Sequence, residues 1–258
     1  MKRALRKYGY YSRSIVTLLT GLRAPLSTIA LFLVPSRVVP TTITLRRTGL
    51  SFEVREPMDA WVVKETCLDR DYFRDFAEPA PDWRILDIGA GLGDFTVLAA
   101  SLAPDGVVHA YEPFADSFAL LGRNLRRNGI TTATIHNEAA AARDGTRALL
   151  PGRARAGMQV FGPGEGIEAT SLARILDRLP GRRCDFMKID CEGGEFDLIL
   201  NGADQLHRVD RIALEYHEAL TNHTSDELIA CLRSEGFVVR RARNPVHANT
   251  GFLFAERP

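Results

Sequence analysis

The sequence predicts an α/β protein in which strands alternate with helices and the last two strands pair as a hairpin, and three observations carry that reading. Arg84-Ile85-Leu86 is a strand-like apolar run. It passes through Asp87-Ile88-Gly89-Ala90-Gly91-Leu92-Gly93-Asp94 into Phe95–Leu102, which is apolar at helical spacing. From Trp83 onward strand-like and helix-like patterns alternate. The chain then closes on two strand-like runs, Phe237–Arg240 and Gly251–Ala255, with no helical pattern between them, and neighbouring strands joined by a loop pair most easily antiparallel.

Taken in order, residues 1–40 read as basic and helical, ending near Pro35 and Pro40. Thr42–Leu45 and Ser51–Val54 are β-rich and joined through Arg46-Arg47-Thr48-Gly49, a hairpin signal. A short helix is expected around Asp59–Glu65, followed by Asp69–Phe76. Pro79 and Pro81 mark a boundary between an N-terminal extension, 1–80, that covers the cleft and a main domain, 81–258. Within the main domain Val107–Tyr111 is a second strand, and Phe114–Asn128 is an amphipathic helix with Phe114, Phe118, Leu121 and Leu125 on one face. Ala133–His136 is a third strand. Residues 145–170 are glycine-rich and expected to be irregular, with short strands at Ala148–Leu150 and Met158–Phe161. Asp185–Asp190 has the continuous apolar centre of a strand buried on both faces. A helix through Phe196–Leu200, a strand Arg211–Tyr216 and a helix Asp226–Ser234 follow.

Charge is unevenly distributed. The chain of 258 residues has a net charge of +1, yet residues 1–55 hold ten Lys/Arg against one acid, Glu53, a net of +9 that leaves −8 for the rest. A basic head on an acidic body suits a peripheral contact with an anionic surface, and a solvated N-terminus is the alternative. The acidic body argues against a nucleic-acid substrate, and no Asn-Pro-Pro-Tyr-like base-flipping motif occurs. Cys67, Cys184, Cys191 and Cys231 show no metal spacing and read as reduced thiols of a cytoplasmic protein. The apolar stretch Ile15–Val34 is split by Arg23 and Pro25, so the pieces are too short to span a bilayer, while an interfacial amphipathic helix remains a reading. No signal-peptide cleavage site is expected.

Gly89, Gly91 and Gly93 give G-x-G-x-G rather than the G-x-G-x-x-G of dinucleotide folds, with Thr96 where the last glycine would fall counting from Gly91. The spacing points to a ligand carrying adenosine and an amino acid rather than a pyrophosphate. Glu112, ending the second strand 19 residues after Gly93, can accept both ribose hydroxyls of such a ligand. Asn137 and Glu138, ending the third strand, can read adenine or be ordinary loop residues. In open α/β sheets ligands sit outside the carboxyl ends of strands. There the sequence places Asp190, Glu192, Glu195, Glu215 and His217 on one rim, with Lys188 close by. Crowded carboxylates repel one another, so a sulfonium cation, a substrate hydroxyl, a metal or Lys188 must compensate. Glu192 and Glu195 can instead cap the following helix. His217 can accept a proton from a hydroxyl near neutral pH, or be structural. Trp61 and Tyr72 can stack on a sugar or simply pack.

Together the 87–93 glycine motif, Tyr111-Glu112-Pro113, Asn124-x-x-x-Asn128, Met187-Lys188-Ile189-Asp190-Cys191-Glu192-Gly193-Gly194-Glu195 and Leu214-Glu215-Tyr216-His217 resemble the FkbM family of methyltransferases over roughly residues 43–256. The resemblance implies a class I Rossmann-like α/β fold with a seven-stranded sheet whose last strand is antiparallel. It implies S-adenosylmethionine as cofactor and O-methylation of a hydroxyl on a sugar, glycan or natural product, a small-molecule or carbohydrate acceptor. It places Gly89 and Glu112 on the cofactor and Asp190 near its methionine end. Thr170-Ser171-Leu172-Ala173 departs from the T-L-D usual in the family, so no role is expected after Leu172. The cofactor-binding set expected from motif and resemblance is Asp87, Gly89, Ala90, Gly91, Gly93, Glu112, Asn137, Glu138 and Asp190. The catalytic set is Asp190, His217, Glu192, Glu215 and Lys188, with Asp190 and His217 sharing proton transfer. Glu192 and Glu215 orient the substrate or hold a divalent cation such as Mg²⁺, although no metal ligand set is assigned. The competing readings are a nicotinamide-dependent oxidoreductase, against which the glycine spacing and terminal hairpin speak, and a non-catalytic S-adenosylmethionine-binding module.

Overall fold

A computed structural model describes residues 2–33, 41–150, 159–163, 166–244, 246–247 and 249–258; at 2–6, 147–150 and 159–163 only the backbone is described. The expected ends of the N-terminal helical region at Pro35 and Pro40, and the strand start at Met158, lie outside these residues. The N-terminal region forms helices α1 (Lys2–Gly21) and α2 (Pro25–Leu33), the second opened by a proline whose missing N–H costs a helix start nothing. The hairpin β1 (Thr41–Thr44) and β2 (Ser51–Val54) follows, then helix α3 (Pro57–Val63), which runs into a π-helical turn at Lys64–Leu68 and a short 3₁₀ turn at Asp71–Phe73.

The alternating part begins with β3 (Arg84–Ile88), α4 (Asp94–Leu102), β4 (Val107–Tyr111), α5 (Ala115–Arg127) and β5 (Ala133–His136). Residues 139–171 then form four strands, β6 (Ala139–Ala141), β7 (Gly145–Leu150), β8 (Gln159–Pro163) and β9 (Ile167–Ser171), which make a separate small sheet in the order β6-β9-β7-β8. Where described, the segment expected to be largely irregular is sheet, paired antiparallel β7 to β8 and β7 to β9; the short strand expected at Ala148–Leu150 lies within β7, and the one expected at Met158–Phe161 overlaps β8. A short helix not foreseen, α6 (Leu172–Asp177), leads from it, capped by the Ser171 hydroxyl, which accepts from the Arg174 N–H. The chain continues through β10 (Phe186–Ile189), α7 (Gly194–Leu200), β11 (Arg211–His217), α8 (Ser225–Ser234), β12 (Val238–Arg243) and β13 (Thr250–Glu256).

The large sheet has seven strands in the order β12-β13-β11-β10-β3-β4-β5. The strands β5, β4, β3, β10 and β11 are parallel, and β13 pairs antiparallel with both β11 and β12. Its central strands β3 and β10 are mostly apolar because helices cover both faces; Ile85, Leu86, Phe186, Met187, Ile189 and Leu214 are fully buried. Aromatic packing ties the N-terminal segment to the sheet: the Phe73 and Phe186 ring centres are 5.0 Å apart and those of Phe73 and Phe95 are 5.4 Å apart.

Helix α5 buries a face turned slightly from the one expected, with Leu121 and Leu125 inside alongside Ser117 and Asn124, while Phe118 is half-buried. The polar members have a task. Asn124 Oδ1 accepts from the Glu53 N–H at 2.7 Å, and its Nδ2 donates to the Leu92 carbonyl at 2.9 Å. One helical turn on, Asn128 accepts from the Ser51 N–H at 2.8 Å and donates to the Ser51 carbonyl at 2.7 Å. Two amides spaced i, i+4 therefore act as a neighbouring strand for the open edge of β2 and fasten the hairpin over the helix that follows the second strand.

Candidate active site

The ends of β3, β4 and β10 and the loops after them enclose a cleft of about 740 Å³. Three positive-φ glycines shape the loop after β3: Gly89 at +74°, Gly91 at +54° and Gly93 at +90°. Gly89 is required by packing, since a Cβ there would lie 1.8 Å from the Asp190 carbonyl oxygen at the end of β10. Gly91 differs. A Cβ on it would meet no protein atom within 4 Å, and the residue lines the cleft, so the missing side chain leaves bare backbone beside open space. The N–H groups of Gly89 and Ala90 both donate to the Tyr111 carbonyl at 3.0 Å, which welds the loop to the end of β4. Gly93 passes the chain into α4 against Leu121.

Glu112 closes the same loop. Its carboxylate accepts from the Gly91 N–H at 2.7 Å and from the Phe114 N–H at 2.9 Å, one bond per oxygen. Each oxygen keeps a further acceptor position, and the residue lines the cleft. Burial pushes its carboxyl up to about 7, against the pull of those two N–H groups. Asp94, in the first turn of α4, lines the cleft too and is raised by burial to about 6. Sequence reasoning quoted Asp94 in the motif without giving it a part. Asn137 and Glu138 stand elsewhere: neither is among the cleft-lining residues. Asn137 donates to the Glu112 and Pro113 carbonyls at 2.8 and 3.0 Å, and Glu138 pairs with Arg178 at 2.8 Å and accepts from the Thr170 hydroxyl.

Beneath the loop lies a buried ion pair that follows from strand register, because Lys188 on β10 is the direct neighbour of Asp87 on β3. Lys188 Nζ lies 3.1 Å from Asp87 Oδ1 and donates to the Gly89 and Ile88 carbonyls at 2.6 and 3.3 Å. Asp87 also accepts from the Thr96 hydroxyl at 2.6 Å. Burial opposes charge on Lys188, but Asp87, Asp190 and Asp94 outweigh it and raise its pKa. The ammonium is thus held by two loop carbonyls and one carboxylate, which makes Lys188 and Asp87 a support for the glycine loop.

On the facing wall stands the cluster built by the end of β10 and the end of β11. Asp190 accepts from the Tyr72 hydroxyl at 2.8 Å. His217 Nε2 is 3.7 Å from Glu192 and 4.0 Å from Asp190. Glu192 holds a left-handed backbone, φ +50°, uncommon for a residue with a side chain. Behind the imidazole, fully buried Glu195 accepts from His217 Nδ1 at 3.2 Å, from the His217 N–H at 2.7 Å and from the Gly193 N–H at 2.7 Å. Glu195 is therefore a cap for its own helix and also an orienting partner for His217, fixing Nδ1 inward and Nε2 toward the two cleft carboxylates. Burial works against a charged imidazole, yet the Glu195 hydrogen bond and the charges of Asp190, Glu195 and Glu192 hold His217 up to about 10. The expectation of a neutral imidazole ready to take a proton at pH 7 gives way to an imidazolium that neutralises its carboxylate neighbours. Burial, then repulsion from Asp190, raises Glu192. Asp190, Glu192 and His217 offer ligand atoms within 4.8 Å of one another, a set that can hold a metal ion.

Glu215 is brought to a different place. It lines a second cavity of about 540 Å³ with Tyr10, Arg13 and Ser14 of α1, Asp71 and Arg243. Burial and the charge of Asp190 raise it well above the ordinary carboxylate range. Tyr72 stands by the cleft between these groups, edge-on to Phe95 and Phe252. Trp61 is enclosed by Tyr10, Tyr11 and Phe32, with Lys64 Nζ 4.5 Å from its ring centre, so its faces serve packing.

A glycine loop and a strand-end acid holding a cleft at the carboxyl ends of a sheet with one reversed strand define the class I methyltransferase architecture. A family model described as the methyltransferase FkbM domain matches residues 87–239, more than half of the chain. The protein belongs to that family and is an S-adenosylmethionine-dependent methyltransferase. It is 28% identical over 226 residues to 31-O-demethyl-FK506 methyltransferase FkbM of Streptomyces tacrolimicus, covering 74% of this chain and 86% of that one. It is 23% identical over 206 residues to Methyltransferase 1 of Beauveria bassiana strain ARSEF 2860, covering 69% and 81% of the two chains. Among solved structures it aligns to the fibrillarin/Nop5p complex with a TM-score of 0.50 at 13% identity, covering 86% of this chain and 96% of that chain, a likeness of fold alone. The family assignment displaces the nicotinamide reading.

Proposed function

We propose that the protein methylates a hydroxyl oxygen on a sugar, glycan or natural product. The observation that carries this is the Asp190–Glu192–His217 cluster on the wall of the cleft that the Gly89–Gly93 loop and Glu112 close. The name of the Streptomyces relative, a 31-O-demethyl-FK506 methyltransferase, agrees with an oxygen acceptor.

The residues fit the donor: bare backbone at Gly91, a two-oxygen acceptor at Glu112 for a ribose diol, and carboxylates opposite to face a sulfonium. When bound, the cofactor supplies a methyl carbon whose bond to sulfur breaks as its bond to the acceptor oxygen forms. The chain does the rest. Glu112 and the glycine loop fix the position of the donor, and Lys188 with Asp87 keeps that loop rigid as positioning residues. The hydroxyl proton passes to the Asp190–Glu192 carboxylate cluster, where burial raises Glu192 and so favours it as the proton's holder. His217, held charged by Glu195, lets those carboxylates stand side by side before and after the proton moves. Glu215 orients the acceptor from the second cavity. The test is turnover with methyl-labelled S-adenosylmethionine and a panel of hydroxylated acceptors, reading the methylated atom by NMR. An oxygen-linked methyl is the expected product. Label on nitrogen or carbon refutes the reading, and S-adenosylhomocysteine binding without turnover of any acceptor supports a non-catalytic module instead.

One observation favours a second reading. Glu195 orients His217 Nδ1 as an outer carboxylate does for a metal-ligating histidine, which would suit a divalent cation such as Mg²⁺ on Asp190, Glu192 and His217. Turnover unaffected by chelator and by added Mg²⁺ removes it.

A further inference from the structure

Among the described residues ten large apolar side chains are exposed, and nine of them lie on three neighbouring helices: five on α1, three on α2 and Met58 at the start of α3. Their spacing makes faces of them. On α1, Tyr8, Tyr11, Ile15 and Leu19 recur at three- and four-residue intervals and form one stripe along the helix. The adjoining side of α1 is spoken for. Ser14 and Leu18 are buried there, and Ser14 Oγ accepts from Lys64 Nζ at 2.7 Å. On α2, Leu26 and Leu33 are 77% and 75% exposed, two turns apart, while Thr28 and Leu31 face inward. An ordinary amphipathic helix shows water its polar side; these two are anchored by one side and present apolar side chains on another.

Charge decides what covers them. Residues 2–33 contain six Lys/Arg and no Asp or Glu. A second copy docking here would bring together two helix pairs whose sequences each carry a net +6, whereas an anionic lipid surface complements that charge and accepts the apolar stripe between its headgroups. No described helix is long and apolar enough to cross a membrane, so the fitting geometry is α1 and α2 lying in the plane of the interface. We propose that the α1–α2 face is a docking surface for an anionic phospholipid bilayer. The inner side of α1, through Tyr10, Arg13 and Ser14, lines the cavity that holds Glu215, so the docked helix and that cavity share a wall. The proposal stands independently of the acceptor's identity.

Flotation of the full chain with vesicles of phosphatidylcholine alone, or mixed with phosphatidylglycerol, tests it. Binding to the mixed vesicles at low salt is expected, falling by at least about tenfold on neutral vesicles or at high salt. Ile15→Glu with Leu26→Glu, both at exposed sites, should abolish that binding while S-adenosylhomocysteine affinity, read by calorimetry, is unchanged. Equal binding to both vesicle types, no binding to either, or binding untouched by the double substitution overturns the proposal. So does a dimer in solution that the same substitutions dissociate, which would assign the face to a second copy.

Discussion

Glu112→Gln isolates what the strand-end acid does. The substitution keeps the shape and removes the charge. At pH 8 the native carboxylate is ionised although burial has raised it from 4.5 to about 7, so its charge costs the fold about 3 kcal/mol. Glutamine removes that cost. It loses one of the two backbone bonds, because its NH₂ must face the Gly91 or Phe114 N–H, a penalty of about 1–2 kcal/mol. The relieved cost exceeds the lost bond by about 1–2 kcal/mol, so the variant should fold. Binding is another matter. A carboxylate accepting two ribose hydroxyls makes charge-assisted bonds worth about 1.5–3 kcal/mol each, and an amide keeps one acceptor, so S-adenosylhomocysteine affinity should fall by about 10- to 150-fold. The wild type should also bind more tightly as pH rises. With the carboxyl near 7, about a tenth is ionised at pH 6 and about nine-tenths at pH 8, giving roughly tenfold tighter binding at pH 8, and the variant should lose that slope. Calorimetry at both pH values reads each quantity. A variant that binds within about threefold of wild type, with the same pH slope, refutes the assignment of Glu112 to the cofactor.

Lys188→Met should leave Asp87 charged and unpaired in a fully buried site, costing about 3–5 kcal/mol in urea unfolding; a loss below about 1 kcal/mol would show that the pair does not support the loop. Asn124→Ala strips partners from Glu53 and Leu92 and should destabilise by about 1–3 kcal/mol, with protease cutting between residues 41 and 56 accelerated; unchanged cutting would mean the hairpin is held by other contacts. Glu195→Gln tests the imidazolium. Because His217 is raised from 6.5 to about 10, the stability it confers is fully present below pH 6.5 and lost as pH rises toward 10; removing Glu195 lowers that folded value, so the stability gap between wild type and variant should be widest below pH 6.5 and narrow by pH 10, and a gap constant across that range contradicts it. Glu215→Gln should raise the KM for the acceptor and leave S-adenosylhomocysteine binding unchanged; the reverse pattern would move Glu215 to the cofactor side.

What the sequence made legible was local. The strand–glycine–helix passage at 84–102 announces itself through hydrophobic period and turn chemistry, and the closing hairpin through two strand patterns with nothing helical between them. Of the sheet at 139–171 only strand-like runs at Ala148–Leu150 and Met158–Phe161 were readable; its full extent and pairing were hidden because its strands are short, glycine-interrupted and paired with partners up to thirty residues away. In the site, the residue types crowding the rim were readable from spacing, but their division of labour was not. Lys188 on β10 and Asp190 just past its end are two residues apart; only the register against β3 reveals that the lysine's partner is Asp87. Glu215 and His217 share a face of β11 by the same period, yet Tyr72, brought in from an element more than a hundred residues away in sequence, stands beside Asp190 and lines the cleft, whereas Glu215 lines the second cavity. Charge compensation is the deeper reason. Read along the chain, the acids form one crowd that needs one cation. In the fold Lys188 serves Asp87, and His217 serves Glu195, Glu192 and Asp190. Glu215 makes no ion pair among the described residues; burial and then the charge of Asp190 raise its carboxyl instead, which leaves its oxygens to bond whatever enters its cavity.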